Sequence, residues 1–241
     1  MSSFVLKLIA ALSMLCDHAG LILFPKAEVL RVIGRLSFPL YAFCIAEGFR
    51  YTRNRLKYFL RVFILGVLCQ IVYCIAERDL YLGILITFSL SIVLMALTDW
   101  VKKAFRGEAG SQKKLAEKLL GRPLPERAEK ILSVGLTVLA VALCLLLTAK
   151  VKVDYGFFGI LLPVFANLFD DRERRIFMFA ACLTAVAIQS ASSFPIQYFS
   201  LLAVPLVALY NGKPGRFRMK YFFYFFYPLH MAALYGIAML K

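Results

Sequence analysis

Apolar runs of about 17–25 residues recur along this chain from one end to the other, and each is long enough to cross a bilayer as a helix. In hydrocarbon every backbone amide must find its partner within the protein, and a helix does so inside one segment. Charged residues make up 18% of the 241 residues, fewer than a soluble domain of this length carries. The mean hydropathy is +0.76. The expected fold is all-α: a polytopic integral membrane helical bundle, one domain over residues 1–241, with the lipid bilayer as its first partner.

Nine spans are expected, at about 4–24, 33–49, 60–76, 80–98, 131–149, 155–169, 175–193, 195–210 and 221–240. Glu77-Arg78-Asp79 joins the third to the fourth, and Ser192-Ser193-Phe194-Pro195 joins the seventh to the eighth. Both connections predict tight antiparallel hairpins. The long loop at 101–130 holds Gly107 to Ser111 as a break and then Lys113 to Leu120. There Leu115, Leu119 and Leu120 share a face opposite lysines, which suits either a short helix on the membrane surface or a solvated linker.

The net charge of +15 is sorted by side. One set of loops carries Lys7, the group Arg50, Arg53, Arg55, Lys57 and Arg61, the basic residues from Lys102 to Lys130, Arg172 to Arg175, and Lys213 to Lys220. The alternate loops carry Lys26, Arg31, Arg35, Arg78, Lys150, Lys152 and Lys241. Basic loops stay cytoplasmic. The alternation predicts a multi-pass protein of the plasma membrane, N-terminus in the cytoplasm and C-terminus outside. Membrane sidedness accounts for the charge, so no nucleic acid partner is expected. The first run is not read as a cleavable signal peptide, because Asp17 and His18 interrupt it and no small-residue cleavage site follows.

The six cysteines lie inside apolar runs without metal-ligand spacing and read as small membrane-helix residues; no metal is expected. Polar groups within spans need a stronger reason. Asp17 and His18 stand together in the first span, and an ionisable pair at that depth is a site hypothesis by default. Neighbours on a helix point about 100° apart, so each should meet a different partner. His18 has an unperturbed pKa of about 6.5 and is a candidate general base. Asp17 could orient a partner or balance a buried arginine. Arg35 enters the outer end of the second span, where a helix hairpin could bring it to Asp17. Glu47 and Arg50 at the inner end are spaced to pair with each other. His230, in Tyr227-Pro228-Leu229-His230, lies deep in the last span behind seven consecutive aromatics. Pro228 withholds one backbone donor from that helix. Asp154 opens the sixth span. Gln70, Asn167 and Gln189 read as polar helix-to-helix contacts.

The ordered stretches Leu6-Lys7-Leu8-Ile9-Ala10 with Asp17-His18, Ile33-Gly34-Arg35-Leu36-Ser37-Phe38-Pro39 with Ala46-Glu47-Gly48-Phe49, Asp154-Tyr155-Gly156, Tyr210-Asn211-Gly212-Lys213 and Tyr227-Pro228-Leu229-His230 resemble the TraX family, the group named for the F-pilin acetylation protein. Thr52-Arg53, Tyr58 and Arg61 extend the likeness; the loop at 101–130 is outside it. The family is similar to a wider group of transmembrane acyltransferases. The resemblance implies transfer of an acetyl or other short acyl group from cytosolic acyl-CoA to an amine or hydroxyl acceptor. The early-span histidine of the wider group matches His18.

On that reading His18 and Asp17 are the catalytic residues. His230, Arg35, Glu47, Tyr227 and Asp154 bind substrate, with His230 lining the cavity of His18. Arg50, Arg53, Arg55, Lys57 and Arg61 hold acetyl-CoA, or another acyl-CoA, as donor substrate. The acceptor (a peptide N-terminus, a glycan or a lipid) is unspecified, and so is any oligomer. Two other classes are weighed. A proton-coupled transporter or lipid-handling protein would use Asp17, Glu47 and the histidines as a relay, but no inverted repeat is visible. An assembly protein without chemistry leaves the buried Asp-His pair unexplained.

Overall fold

The computed structural model describes residues 1–77, 81–108, 110–191, 195–215 and 220–240. The connections expected at Arg78-Asp79 and Ser192-Ser193-Phe194, and the basic residues Arg216 and Arg218, lie outside the described residues. Among the described residues the chain is an all-α bundle. Its helices are α1 (Ser3–Ile22), α2 (Glu28–Gly34), α3 (Ser37–Tyr51), α4 (Arg55–Glu77), α5 (Ile84–Arg106), α6 (Ser111–Leu120), α7 (Glu126–Lys150), α8 (Gly156–Asn167) and α9 (Arg172–Ser190). A 3₁₀ segment (Pro195–Leu202), α10 (Ala203–Ala208) and α11 (Lys220–Met239) complete it. Among the described residues five helical stretches are long and apolar enough to cross a membrane: α1, α2 with α3, α4, α5 and α7. Shorter apolar helices accompany them. This is a multi-pass membrane protein.

Local chemistry sets the helix ends. The Ser2 side chain accepts from the Val5 amide at the start of α1, and Asp171 accepts from the Arg174 amide at the start of α9. Gly107, with φ of 71°, closes α5 in the left-handed conformation that an L side chain resists. Of the nine expected spans the first five fall on the five long apolar stretches; the sixth, eighth and ninth fall on the shorter apolar helices, and the seventh falls on α9, whose first turn is charged. Two spans also differ in local structure. The second span breaks at Arg35 and Leu36 into α2 and α3. The eighth is mostly 3₁₀ rather than α-helix. At a rise of about 2.0 Å per residue the 3₁₀ part stretches Pro195–Ala208 to about 25 Å, against about 21 Å for a continuous α-helix.

Helix α3 forms the centre: Phe38, Leu40, Ala42, Phe43, Ala46 and Phe49 are all buried. It packs against α1, α5 and α8, and α9 closes over α8. By contrast α4 and α7 turn Ile64, Leu68, Val72, Leu139, Leu143 and Leu146 outward. In water such surfaces would be a liability, and in a bilayer they meet lipid. Helix α6 exposes Leu115, Leu119 and Leu120, so the segment expected in the long loop is helical.

Side-chain and backbone contacts gather the two loop sets at opposite ends of the bundle. At one end the Ser3 amide donates to the Lys213 carbonyl at 2.9 Å, Arg50 pairs with Asp170 at 2.6 Å, and Arg106 reaches the same carboxylate at 3.0 Å. Arg106 holds the Asp170 carboxyl below the usual carboxylate range. Arg55 there pairs with Asp99. At the other end two short strands, β1 (Tyr81–Leu82) and β2 (Lys152–Val153), pair in parallel. Asp17, Arg31, Arg35 and Asp154 lie at that end.

Candidate functional site

A cavity of ≈ 1400 Å³ runs between α1, α3, α4 and α11. Its wall extends from Tyr51 and Thr52 near the basic end to Tyr81, Lys152 and Asp154 at the other. Small-molecule pockets are usually about 300–1,000 Å³, so the volume has room for more than one substrate.

Helix α1 supplies Lys7, Met14, Asp17, His18 and Leu21 to this wall, all along one side of the helix. Asp17 turns to α2, where Arg31 meets its carboxylate at 3.0 Å and Arg35 meets the same oxygen. Arg35 is buried, bonds the Arg31 carbonyl through Nε at 3.2 Å, and donates from Nη1 to Gln197 Oε1 at 3.3 Å. Gly34 makes this approach possible: a Cβ there would lie 2.4 Å from the Asp17 carboxylate.

His18 turns the other way. Its Nδ1 lies 2.8 Å from His230 Nε2, and His230 Nδ1 lies 2.8 Å from the Phe226 carbonyl oxygen. A carbonyl only accepts, so His230 Nδ1 carries a proton and donates. In the neutral ring His230 Nε2 is then an acceptor, and His18 Nδ1 must donate to it. Neutral His18, which also bonds the Met14 carbonyl one turn back, then has its lone pair on Nε2, on a ring that lines the cavity. The His230 ring is itself fixed by stacking on Phe226, with centroids 5.1 Å apart. His230 stands behind His18 rather than on the cavity wall, where the last helix contributes Phe223, Tyr227, Met231 and Tyr235 instead.

Across the cavity Asp154 accepts from the Tyr81 hydroxyl at 2.8 Å, and its carbonyl accepts from Thr87 at 3.1 Å. The next residue, Tyr155, holds a left-handed backbone (φ 59°), a conformation costing on the order of 1–3 kcal/mol for a bulky residue. Its ring stacks on Phe38 with centroids 3.7 Å apart, which supports the conformation and sets a flat aromatic wall on the cavity.

The remaining expected site residues are distributed differently. Glu47 is buried but pairs with Arg175, not with Arg50, and lines a separate cavity of ≈ 170 Å³. Of the five cations expected to hold the donor, Arg61 lines the large cavity. Arg50 is taken up by Asp170 and the Phe169 carbonyl. Arg55 is taken up by Asp99 and the face of Phe49. Arg53 and Lys57 are exposed outside the cavity. These charges were grouped by proximity in sequence, whereas a helix end turns such neighbours to all sides.

Sequence reasoning did not single out Gln197, Tyr81 or Arg31 for the site. Gln197 could have been found, being an amide in an apolar run. Gln70, singled out on that ground, is a structural tie: it donates to the Tyr81 carbonyl at 2.8 Å and accepts from the Gly83 amide at 3.1 Å. All six cysteines are free, and among the described residues no cluster of potential metal ligands forms.

No solved structure matches the chain. It is 28% identical over 259 residues to the probable fimbrial assembly protein FimC, serogroup H1, of Dichelobacter nodosus, covering 97% of this chain and 94% of that one. A shorter likeness, 36% over 67 residues, links it to protein RP591 of Rickettsia prowazekii (strain Madrid E), covering 28% of this chain and 25% of the other. The family model described as TraX protein matches residues 2–238, which takes in both histidines, the Asp17 cluster and Asp154, and the chain therefore belongs to the TraX family.

Proposed function

We propose that this protein is a membrane-embedded acyltransferase. It moves an acetyl or other short acyl group from acyl-CoA to an amine or hydroxyl acceptor, with His18 as general base. The observation that carries this reading is the hydrogen-bonded series from His18 Nδ1 to His230 Nε2 and from His230 Nδ1 to the Phe226 carbonyl. That series leaves His18 Nε2 as a base beside a cavity that spans much of the bundle. Membership of a family named for pilin acetylation supports the reaction class.

In the proposed reaction His18 Nε2 takes the proton from the acceptor nitrogen or oxygen as that atom attacks the thioester carbonyl. The tetrahedral adduct collapses by breaking the C–S bond, and the departing thiolate takes the proton from His18, which returns to the neutral base. The Tyr227 hydroxyl, on the same cavity, is the donor we assign to the developing oxyanion. Asp17 is spent on Arg31 and Arg35, so its role is to hold α1 against α2 and thereby to place His18. The acyl donor comes from the cytoplasm at the basic end, and the acceptor approaches from the outer end. On this reading the N-terminus lies inside and the C-terminus outside, in keeping with the basic loops. The fimbrial assembly name of the Dichelobacter relative supports a search for the acceptor among exported proteins of surface fibres.

The test is to incubate purified protein in lipid vesicles with radiolabelled acetyl-CoA and membrane extract, and to identify the labelled product. His18→Ala should abolish turnover while thermal stability stays near wild type, because removing a general base typically costs on the order of 10²–10⁴ in rate. Near-full activity in His18→Ala would refute the assignment.

A further inference from the structure

Among the described residues five basic side chains line the large cavity: Lys7, Arg31, Arg35, Arg61 and Lys152. Arg31 and Arg35 are committed to Asp17, and Lys152 belongs to β2 at the outer end. Lys7 and Arg61 differ from these. Both stand near the basic end, and among the described residues neither forms an ion pair. Arg61 Nε is buried without a hydrogen-bond partner, and so is the hydroxyl of Tyr41 on the same cavity. Lys7 and Arg61, whose guanidinium lies 5.9 Å over the Tyr58 ring but meets no carboxylate among the described residues, thus offer two cations on one concave wall to a dense anion.

The position of the seat relative to His18 narrows the choice of anion. Lys7 and His18 are eleven residues apart on α1, which brings them to within about 20° of the same side and about 16 Å apart along the axis. In acyl-CoA the chain from the diphosphate to the thioester sulfur has about thirteen bonds. At about 3.5 Å per three backbone bonds its extended length is roughly 15 Å. The two lengths agree.

We propose that Lys7 and Arg61 bind the diphosphate of acyl-CoA at the basic mouth, so that the extended pantetheine arm delivers its thioester to His18. This rests on the acyltransferase reading and adds the donor site to it. It also transfers the donor role from the basic loop after α3 to two residues on the walls of the cavity. Helix α1 then acts as a ruler, carrying the anion seat and the base on one face.

The test uses the full chain in lipid nanodiscs and measures equilibrium binding of CoA, dephospho-CoA (which keeps the diphosphate) and pantetheine (which lacks it). Wild type should bind the first two similarly and pantetheine far more weakly. Lys7→Gln and Arg61→Gln should each weaken CoA and dephospho-CoA by about ten- to hundredfold and leave pantetheine unchanged, as expected for one charge-assisted contact. Lys7→Arg should stay near wild type. Folded Gln variants that bind CoA like wild type would overturn the seat. So would variants weakened for CoA but not for dephospho-CoA, since these would be holding the 3′-phosphate. If a Gln variant does not fold, equal wild-type affinity for CoA and pantetheine overturns the proposal independently. Wild type that binds none of the three overturns the acyltransferase reading itself, and the seat with it.

Discussion

The His18–His230 pair makes a prediction whose size follows from its hydrogen bonds. His230→Phe keeps a flat ring able to stack on Phe226 but removes the acceptor opposite His18 Nδ1, which lies 2.8 Å away in the native protein. In the ground state that bond joins two neutral rings and contributes about 0.5–1.5 kcal/mol. In the transition state His18 is an imidazolium, and the same bond becomes charge-assisted, at about 1.5–3 kcal/mol. The difference, about 1–1.5 kcal/mol, is stabilisation present only in the transition state and corresponds to roughly tenfold in rate. Without that acceptor the ring keeps only its bond to the Met14 carbonyl, and the tautomer with the proton on Nε2, which does not serve as a base, gains population. The combined fall in kcat should be about ten- to hundredfold, less than for His18→Ala. KM for the donor should change little, because His230 is not on the cavity wall. His230→Gln, whose amide oxygen can take the place of Nε2 as acceptor, should return part of the rate. The assay is the initial rate of label transfer from acetyl-CoA over a range of donor concentrations. A folded His230→Phe protein with wild-type kcat would refute the tautomer argument, and a change confined to KM would move His230 from positioning the base to binding substrate.

Three further outcomes are expected. Gly34→Ala puts a Cβ 2.4 Å from the Asp17 carboxylate between packed helices, so it should lower stability by about 1–3 kcal/mol through overpacking alone, and an unchanged thermal midpoint would contradict the close approach of α1 and α2. Glu47→Gln leaves Arg175 buried without its counter-ion, so it should destabilise by about 3–5 kcal/mol while donor preference stays the same; a stable variant with altered donor preference would place Glu47 in the substrate path instead. Reporter fusions in the loop between α6 and α7 and after Met239 should report opposite sides of the membrane, and the same side for both would refute the proposed orientation.

The bundle was legible in the sequence because bilayer thickness and backbone hydrogen bonding admit few solutions. The stretch from Phe4 to Phe24 could only be a helix, and so could Ile131 to Thr148 on the lipid side. The depth of the ionisable groups was legible for the same reason. Asp17, His18 and His230 stood out because hydrocarbon makes every such residue costly. That Asp17 and His18 would serve different neighbours followed from the helix angle alone.

Which neighbours they serve was decided by tertiary packing. The break at Arg35 and Leu36 gives Asp17 two arginines, and the pairing of α1 with α11 brings together histidines 212 positions apart. No local pattern encodes a contact of that range. The same holds for the cations. By sequence Arg50, Arg53, Arg55, Lys57 and Arg61 form one basic group, and membrane sidedness explains them all equally. Only the fold separates those neutralised by Asp170 and Asp99 from Arg61, which faces the cavity, because a charge is available to a ligand only where no carboxylate has already claimed it. Composition and periodicity determine that the chain lies in the membrane and where its costly groups sit. The packing of its helices determines which of those groups satisfy one another and which remain available to a ligand.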